Sequence, residues 1–310
     1  YLKIACDGLK KPMVDFLNNN NTSLDWIICD FATYWLGPIA VMHGVRTAYF
    51  SVFPALVLGF MGTPDAMCGG DKRTSVEDFV KRPNWVSFES EVRPSAFHVT
   101  RIMQSLTADD ENVSDTYRLG TTIRGCDAVV VRSSFGFEPD WLNLLKELYG
   151  KPVIPIGLLP TTANDDNDDD DAANWLETKK WLDKYERGSV VYIAFGTETK
   201  PSQYELTQLA FGLELSGLPF YWVLIDQLEG LQLGKPLVLL PFMFDQGLIA
   251  SYLVEKKMAY MVHREDADGS FTPESVADLL SLVMVKEDGK MYREKAKDMM
   301  SLFGNRDGQD

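Results

Sequence analysis

The sequence predicts an α/β fold of parallel, doubly wound sheets, and three observations carry that reading. Short apolar runs rich in β-branched and aromatic residues recur along the chain. Helical patterns separate them. An acidic low-complexity stretch divides the series into two halves. Strands that read as unbroken apolar runs belong to sheets covered on both faces, as in parallel α/β domains.

In the first half the strand-like runs are LDWIICD (24–30), TAYFSVF (47–53), AVVVRSS (128–134) and PVIPIG (152–157). The dividing stretch, TTANDDNDDDDAAN (161–174), has no apolar anchor and is expected to be a solvated linker. A calcium loop is the sharper alternative, since Asp166, Asp168, Asp170 and Glu177 fall at EF-hand spacing. However, Asp171 stands where glycine must make the sharp turn, so the linker is preferred.

The second half has VVYIAFG (190–196), FYWVLI (220–225), PLVLLPF (236–242) and MAYMV (258–262). The stretch PSQYELTQLAFGLELSG has helical spacing and ends at Gly217, a natural C-cap. FTPESVADLLSLVM offers Thr272 as N-cap with Pro273 at the first helical position. One connection is anomalous: FYWVLI and PLVLLPF are joined by about ten residues, whereas parallel strands need a crossover of a dozen or more.

The chain has 310 residues, 45% of them hydrophobic, enough for about two domains with their own cores. Its net charge of −15 argues against nucleic acid and anionic membranes, both polyanions. A small anionic ligand remains compatible, because backbone amides at helix N-termini can hold it. No apolar stretch reaches the roughly 20 residues of a membrane span, and no secretory signal is visible. Cys6, Cys29, Cys68 and Cys126 form no C-x-x-C pair and suit reduced thiols in the cytosol. The chain opens on Tyr1 rather than Met, as a partial chain would.

Ligands of open α/β sheets bind outside the carboxyl ends of the strands. That rule selects Asp30, Ser133–Ser134, Gly196–Thr197 and Asp245–Gln246. Asp30 could orient a catalytic imidazole or cap the next helix. Thr197, after a glycine that permits close approach, could receive a phosphate or serve as an N-cap. Asp245 and Gln246 could grip vicinal hydroxyls or begin a helix. Three histidines complete the inventory of bases. His43 is expected at a helix C-terminus, His98 on an ordinary helix surface, and His263 in solvent, none well placed as a general base. Neither G-x-G-x-x-G nor G-x-x-x-x-G-K-[ST] occurs, which leaves a dehydrogenase or P-loop enzyme without support.

Several of these stretches together, including GKPLVLLPFMFDQGLIASYLVEKKMAYMV, VVVRSSFGFEPDWL, LYGKPVIPIGLLP and LAFGLELSGLPFYWVL, resemble the plant family 1 UDP-sugar glycosyltransferases over nearly the whole chain. The similarity is to the branch acting on flavonoid or terpenoid glycosides. It implies a GT-B fold of two Rossmann-like domains facing a cleft. The expected division is a partial acceptor domain over 1–158, an acidic linker over 159–186 and a partial nucleotide-sugar domain over 187–310. By the same resemblance Asp30 is the partner of a catalytic histidine that this chain lacks. Gly196 and Thr197 lie at the diphosphate, Glu229 holds the ribose, and Asp245 and Gln246 contact the transferred sugar. No metal and no cofactor are implied, since the UDP-sugar is a substrate. A complete relative is expected to be a cytosolic monomer.

The donor box of this family normally opens with a tryptophan that stacks on uracil and continues to a phosphate-binding histidine. Here FYWVLI passes almost directly to LEGLQLGKP, so the front of the box is missing. The resemblance therefore implies inverting O-glucosyl or O-rhamnosyl transfer by family, with a non-catalytic remnant as the alternative.

Overall fold

The computed structural model describes residues 2–19, 24–106, 113–159, 169–195, 200–223 and 233–304. They fall into two compact units.

The first unit comprises residues up to Leu159 together with Met243–Glu255. It opens with helices α1 (Leu2–Gly8) and α2 (Lys10–Asn19), then β1 (Trp26–Cys29), α3 (Leu36–Met42) and β2 (Arg46–Ser51). Helices α4 (Ala55–Met61), α5 (Val76–Phe79), α6 (Ala96–Leu106) and α7 (Asp115–Gly125) lead to β3 (Ala128–Val131), α8 (Pro139–Tyr149) and β4 (Val153–Pro155). The four strands form one parallel sheet in the order β1-β2-β3-β4, with Ile28 opposite Ala48 and Val129 opposite Val153. Tyr49, Val129 and Val131 are buried with Leu56, Leu58, Ile123, Trp141 and Leu145, so helices cover the sheet's central strands. The edges are less protected: Ile28 on β1 is 72% exposed.

The second unit begins with α9 (Asp169–Leu182), then β5 (Val191–Ala194), α10 (Gln203–Ser216), β6 (Phe220–Val223) and β7 (Leu237–Leu239). Helix α11 (Phe244–Glu255) follows in sequence but packs with the first unit, after which come β8 (Ala259–Met261), α12 (Pro273–Met284) and α13 (Lys290–Gly304). All eight expected strands are present, and every described pair is parallel. Both expected helices are also present. Ser202 and Glu205 form a capping box at the start of α10, Gly217 ends it at φ +65°, and Thr272 caps α12 ahead of Pro273. Leu209, Leu213, Val262, Phe271, Val276 and Leu280 make one core, against which Val191, Trp222 and Val238 pack.

Among the described residues, β6 pairs with β5 and β7 with β8, in separate two-stranded sheets. The connection after FYWVLI is shorter than the dozen or more residues that a parallel crossover needs. Its residues 224–232, including Glu229, lie outside the described ones.

Within the stretch expected to be a linker, the chain is helical from Asp169 through Leu182. Leu176 and Leu182 are good helix formers, and Lys179 and Lys180 lie in the last turn, where the macrodipole favours positive charge. Asp170 and Glu177 thus stand on a helix and not in a calcium loop, while Asp166 and Asp168 lie outside the described residues.

Candidate functional site

Parallel strand β1 delivers Asp30 at its carboxyl end. The backbone there leaves the strand for a single 3₁₀ turn, Phe31–Thr33, and Asp30 is its N-cap. Oδ1 accepts from the Ala32 amide at 2.6 Å, and the residue is exposed. The N-cap reading of Asp30 is observed, at the carboxyl end of β1.

Helix α7 holds this turn from behind. Arg118 donates to the Ala32 carbonyl at 3.1 Å, and the Thr122 hydroxyl donates to the Phe31 carbonyl at 3.2 Å. Arg118 is wholly buried. Its guanidinium grips Asp7 with both arms at 2.7 and 2.6 Å, donates to the Val113 carbonyl and lies over the Tyr34 ring. Hydrogen bonding from Arg118 holds the Asp7 carboxyl below its ordinary range despite some desolvation. Sequence reasoning missed Arg118. An arginine amid DTYRLG carries no local mark of complete burial, and its partner lies 111 residues away.

Asp245 and Gln246 occupy the first turn of α11, both half-buried. A carboxylate there is favoured by the helix dipole, and Gln246 Oε1 accepts from the Met243 amide at 3.3 Å. The helix-start reading of this pair is observed, and it puts two polar side chains, about 100° apart around the axis, at one helix N-terminus. Gly196, Thr197 and Glu229 lie outside the described residues.

Ser133 and Ser134 follow β3 as expected, but both are wholly buried. Ser134 accepts the Phe137 and Glu138 amides with its carbonyl and so starts the approach to α8. Glu138, at that helix's N-cap, is also wholly buried, and its oxygens accept from the Ala55 and Leu56 amides at 2.7 and 2.8 Å. Burial pushes its carboxyl up to about 7, with hydrogen bonds offsetting only part of the cost.

Of the histidines, His43 is the C-cap of α3 and His263 is exposed, as expected. His98 is a correction. It is 3% exposed rather than on the surface, because α11 lies over it. Its Nδ1 is 2.8 Å from Ser95 Oγ. No group of three or more His, Cys, Asp or Glu able to hold a metal occurs among the described residues, and no described helix is long and apolar enough to cross a membrane.

No family model matches the chain. Individual relatives do. UDP-glycosyltransferase 91A1 of Arabidopsis thaliana is 40% identical, covering 100% of this chain and 76% of its own length. UDP-glycosyltransferase 91C1 of the same plant is 39% identical over 99% of this chain and 75% of its own. Soyasaponin III rhamnosyltransferase of Glycine max is 31% identical, at 98% and 74%. The first match runs over 365 positions against 310 residues here, a difference of 55 that this chain does without. Among solved structures, Phytolacca americana UGT2 complexed with UDP-2fluoro-glucose and pterostilbene matches at a TM-score of 0.72 and 17% identity, covering 99% of this chain and 78% of that one. Medicago truncatula UGT71G1 complexed with UDP-glucose matches at 0.72 and 15%, covering 97% and 75%. These structures establish the GT-B type of α/β fold. The sequence relatives are named as enzymes and support the transferase reading rather than the remnant. With relatives of 31–40% identity along nearly all of its length, the chain belongs to the plant UDP-glycosyltransferases.

Proposed function

We propose that this chain serves inverting O-glycosyl transfer, moving a glucosyl or rhamnosyl group from its UDP donor to a hydroxyl of a plant secondary metabolite or its glycoside. The observation that carries the reading is the placement of both Asp245 and Gln246 in the first turn of α11, within a chain whose relatives are UDP-glycosyltransferases. In this reading the pair accepts and donates hydrogen bonds to the sugar hydroxyls, Glu229 holds the ribose, and Gly196 and Thr197 meet the diphosphate. Asp30 orients an imidazole base that is none of His43, His98 and His263. The base takes the acceptor's proton as the acceptor oxygen bonds to the anomeric carbon. The bond from that carbon to the β-phosphate oxygen breaks, configuration inverts, and UDP leaves. No metal or cofactor enters the scheme. The donor and a flavonoid or terpenoid glycoside are the partners, and the enzyme works as a cytosolic monomer, with acidic charge disfavouring nucleic acid.

Calorimetric titration of the 310-residue chain with UDP-glucose, UDP-rhamnose and UDP tests the donor site. The sugar nucleotide is expected to bind more tightly than UDP. Asp245→Ala or Gln246→Ala should remove that preference by about tenfold while leaving UDP affinity unchanged. Equal affinity for UDP-glucose, UDP-rhamnose and UDP in the unaltered chain would overturn the assignment of the pair. Mass detection of glycosylated product from a panel of glycosides, against a heat-killed control, reads transfer itself.

A further inference from the structure

Helix α11 is fastened to the first unit along a single stripe. Gly247, Ser251 and Glu255 recur every four residues and so share one face. Each meets a different part of the contiguous segment 90–98. At the top, the buried His98 ring lies flat against Gly247, where an added Cβ would come within 2.9 Å of Nδ1 and 3.2 Å of two ring carbons. The ring is itself steadied by Ser95 Oγ at 2.8 Å. One turn on, Ser251 Oγ accepts from the Arg93 amide at 3.1 Å and donates to the Glu91 carbonyl at 3.3 Å. A further turn on, one carboxylate oxygen of Glu255 accepts from Ser90 Oγ at 2.8 Å and the Glu91 amide at 2.6 Å. Beside the stripe, the Tyr252 hydroxyl donates to the Phe137 carbonyl at 2.6 Å.

Apolar packing alone would let a helix slide or roll by a fraction of a turn. Directional bonds at two levels and a ring wedged on a glycine at a third remove both freedoms. Asp245 and Gln246 sit about 200° and about 100° around the helix from Gly247, so the stripe leaves them off the fastened face. Their reach is set by the rotation that the stripe enforces.

We propose that residues 90–98 form a positioning clamp for the sugar-binding pair, with His98 acting through Gly247, and Ser90 and Glu91 acting through Glu255, to fix where Asp245 and Gln246 meet the transferred sugar. The proposal rests on the donor-site reading given above. His98 and Glu255 are positioning residues in it, because neither need touch the donor.

Gly247→Ala adds one methyl group at the closest approach, and His98→Ala takes the ring away, so each removes the wedge in a different way. Hydrogen exchange of α11 amides reads the clamp without reference to any ligand. Gly247→Ala and His98→Ala should each speed exchange in the first turns of α11 by about tenfold. The ratio of UDP-glucose to UDP affinity should fall about fivefold in each variant, with UDP affinity unchanged in both. Unchanged exchange in Gly247→Ala would overturn the clamp. So would altered exchange with an unaltered ratio, provided that Asp245→Ala lowers the ratio. If Asp245→Ala and Gln246→Ala leave the ratio unchanged as well, the donor-site reading fails and the positioning role falls with it.

Discussion

Arg118→Met is expected to cost about 3 kcal/mol of folding stability, because it strips one member from a buried ion pair and leaves the other, Asp7, without its partner. The effect should exceed that of an ordinary surface substitution for three reasons. The guanidinium is wholly buried, it grips Asp7 through two bonds of 2.7 and 2.6 Å, and it also satisfies the Val113 and Ala32 carbonyls. Methionine fills much of the volume and answers none of these groups. Asp7 keeps some access to water, which holds the cost toward the lower end of the range for broken buried pairs. The pH dependence follows from the direction of the Asp7 shift. Its carboxyl is held below the ordinary range in the fold. The stabilisation is therefore complete above the unfolded value near about 4 and is lost as pH falls through the folded one. Urea unfolding of both proteins should show the full difference at about pH 7 and a smaller one at about pH 3.5. A difference below about 1 kcal/mol at neutral pH, or one equal at both pH values, would contradict this account. Because Arg118 holds the turn that Asp30 caps, the variant should also speed amide exchange at Ala32 and Thr33 more than at β3.

The strand pattern was legible for a physical reason. Strands covered on both faces carry apolar residues without alternation, so TAYFSVF and AVVVRSS announce β2 and β3 with no knowledge of what covers them. Helices α10 and α12 were legible from local chemistry, since Ser202, Gly217, Thr272 and Pro273 act within a turn of their own position. His98 was misread because its environment is not local. The residue that buries it, Gly247, is distant in sequence and contributes only backbone. Arg118 and Glu138 were passed over for the same reason, as charged residues whose partners lie 111 and 83 positions away. The candidate site divides along this line. Asp30, Asp245 and Gln246 were found because they end or follow strands, a property that topology fixes. The clamp that holds the last two was invisible, because Gly247, Ser251 and Glu255 have meaning only once α11 lies on residues 90–98.

Glu138→Gln is expected to abolish a loss of stability that the wild-type fold suffers as pH rises. The Glu138 carboxyl sits at about 7 in the folded chain against an ordinary value near 4.5, chiefly because burial disfavours its charge. A group raised in this way contributes stability that is complete below the unfolded value and is lost as pH rises through the folded one. The wild-type chain should therefore lose about 3 kcal/mol from this residue between about pH 5 and about pH 8. Glutamine does not titrate, so the variant should lack that slope. It has a separate cost: the Ala55 and Leu56 amides both donate, and an amide side chain offers one oxygen where the carboxyl group offers two. An N–H left facing an NH₂ costs about 1–3 kcal/mol. The variant should be the less stable protein at about pH 5, and the gap should close or reverse at about pH 8, when the wild type carries a buried charge. Urea midpoints for both chains at the two pH values decide the matter, and a wild-type minus variant difference that does not move with pH would show that Glu138 is charged throughout. The consequence reaches the donor pair through one short path. The carbonyl of the preceding residue, Phe137, receives the Tyr252 hydroxyl of α11 at 2.6 Å. Ionising Glu138 puts an uncompensated charge at the base of that contact, so protection of α11 amides should decline with rising pH in the wild type and hold steady in Glu138→Gln.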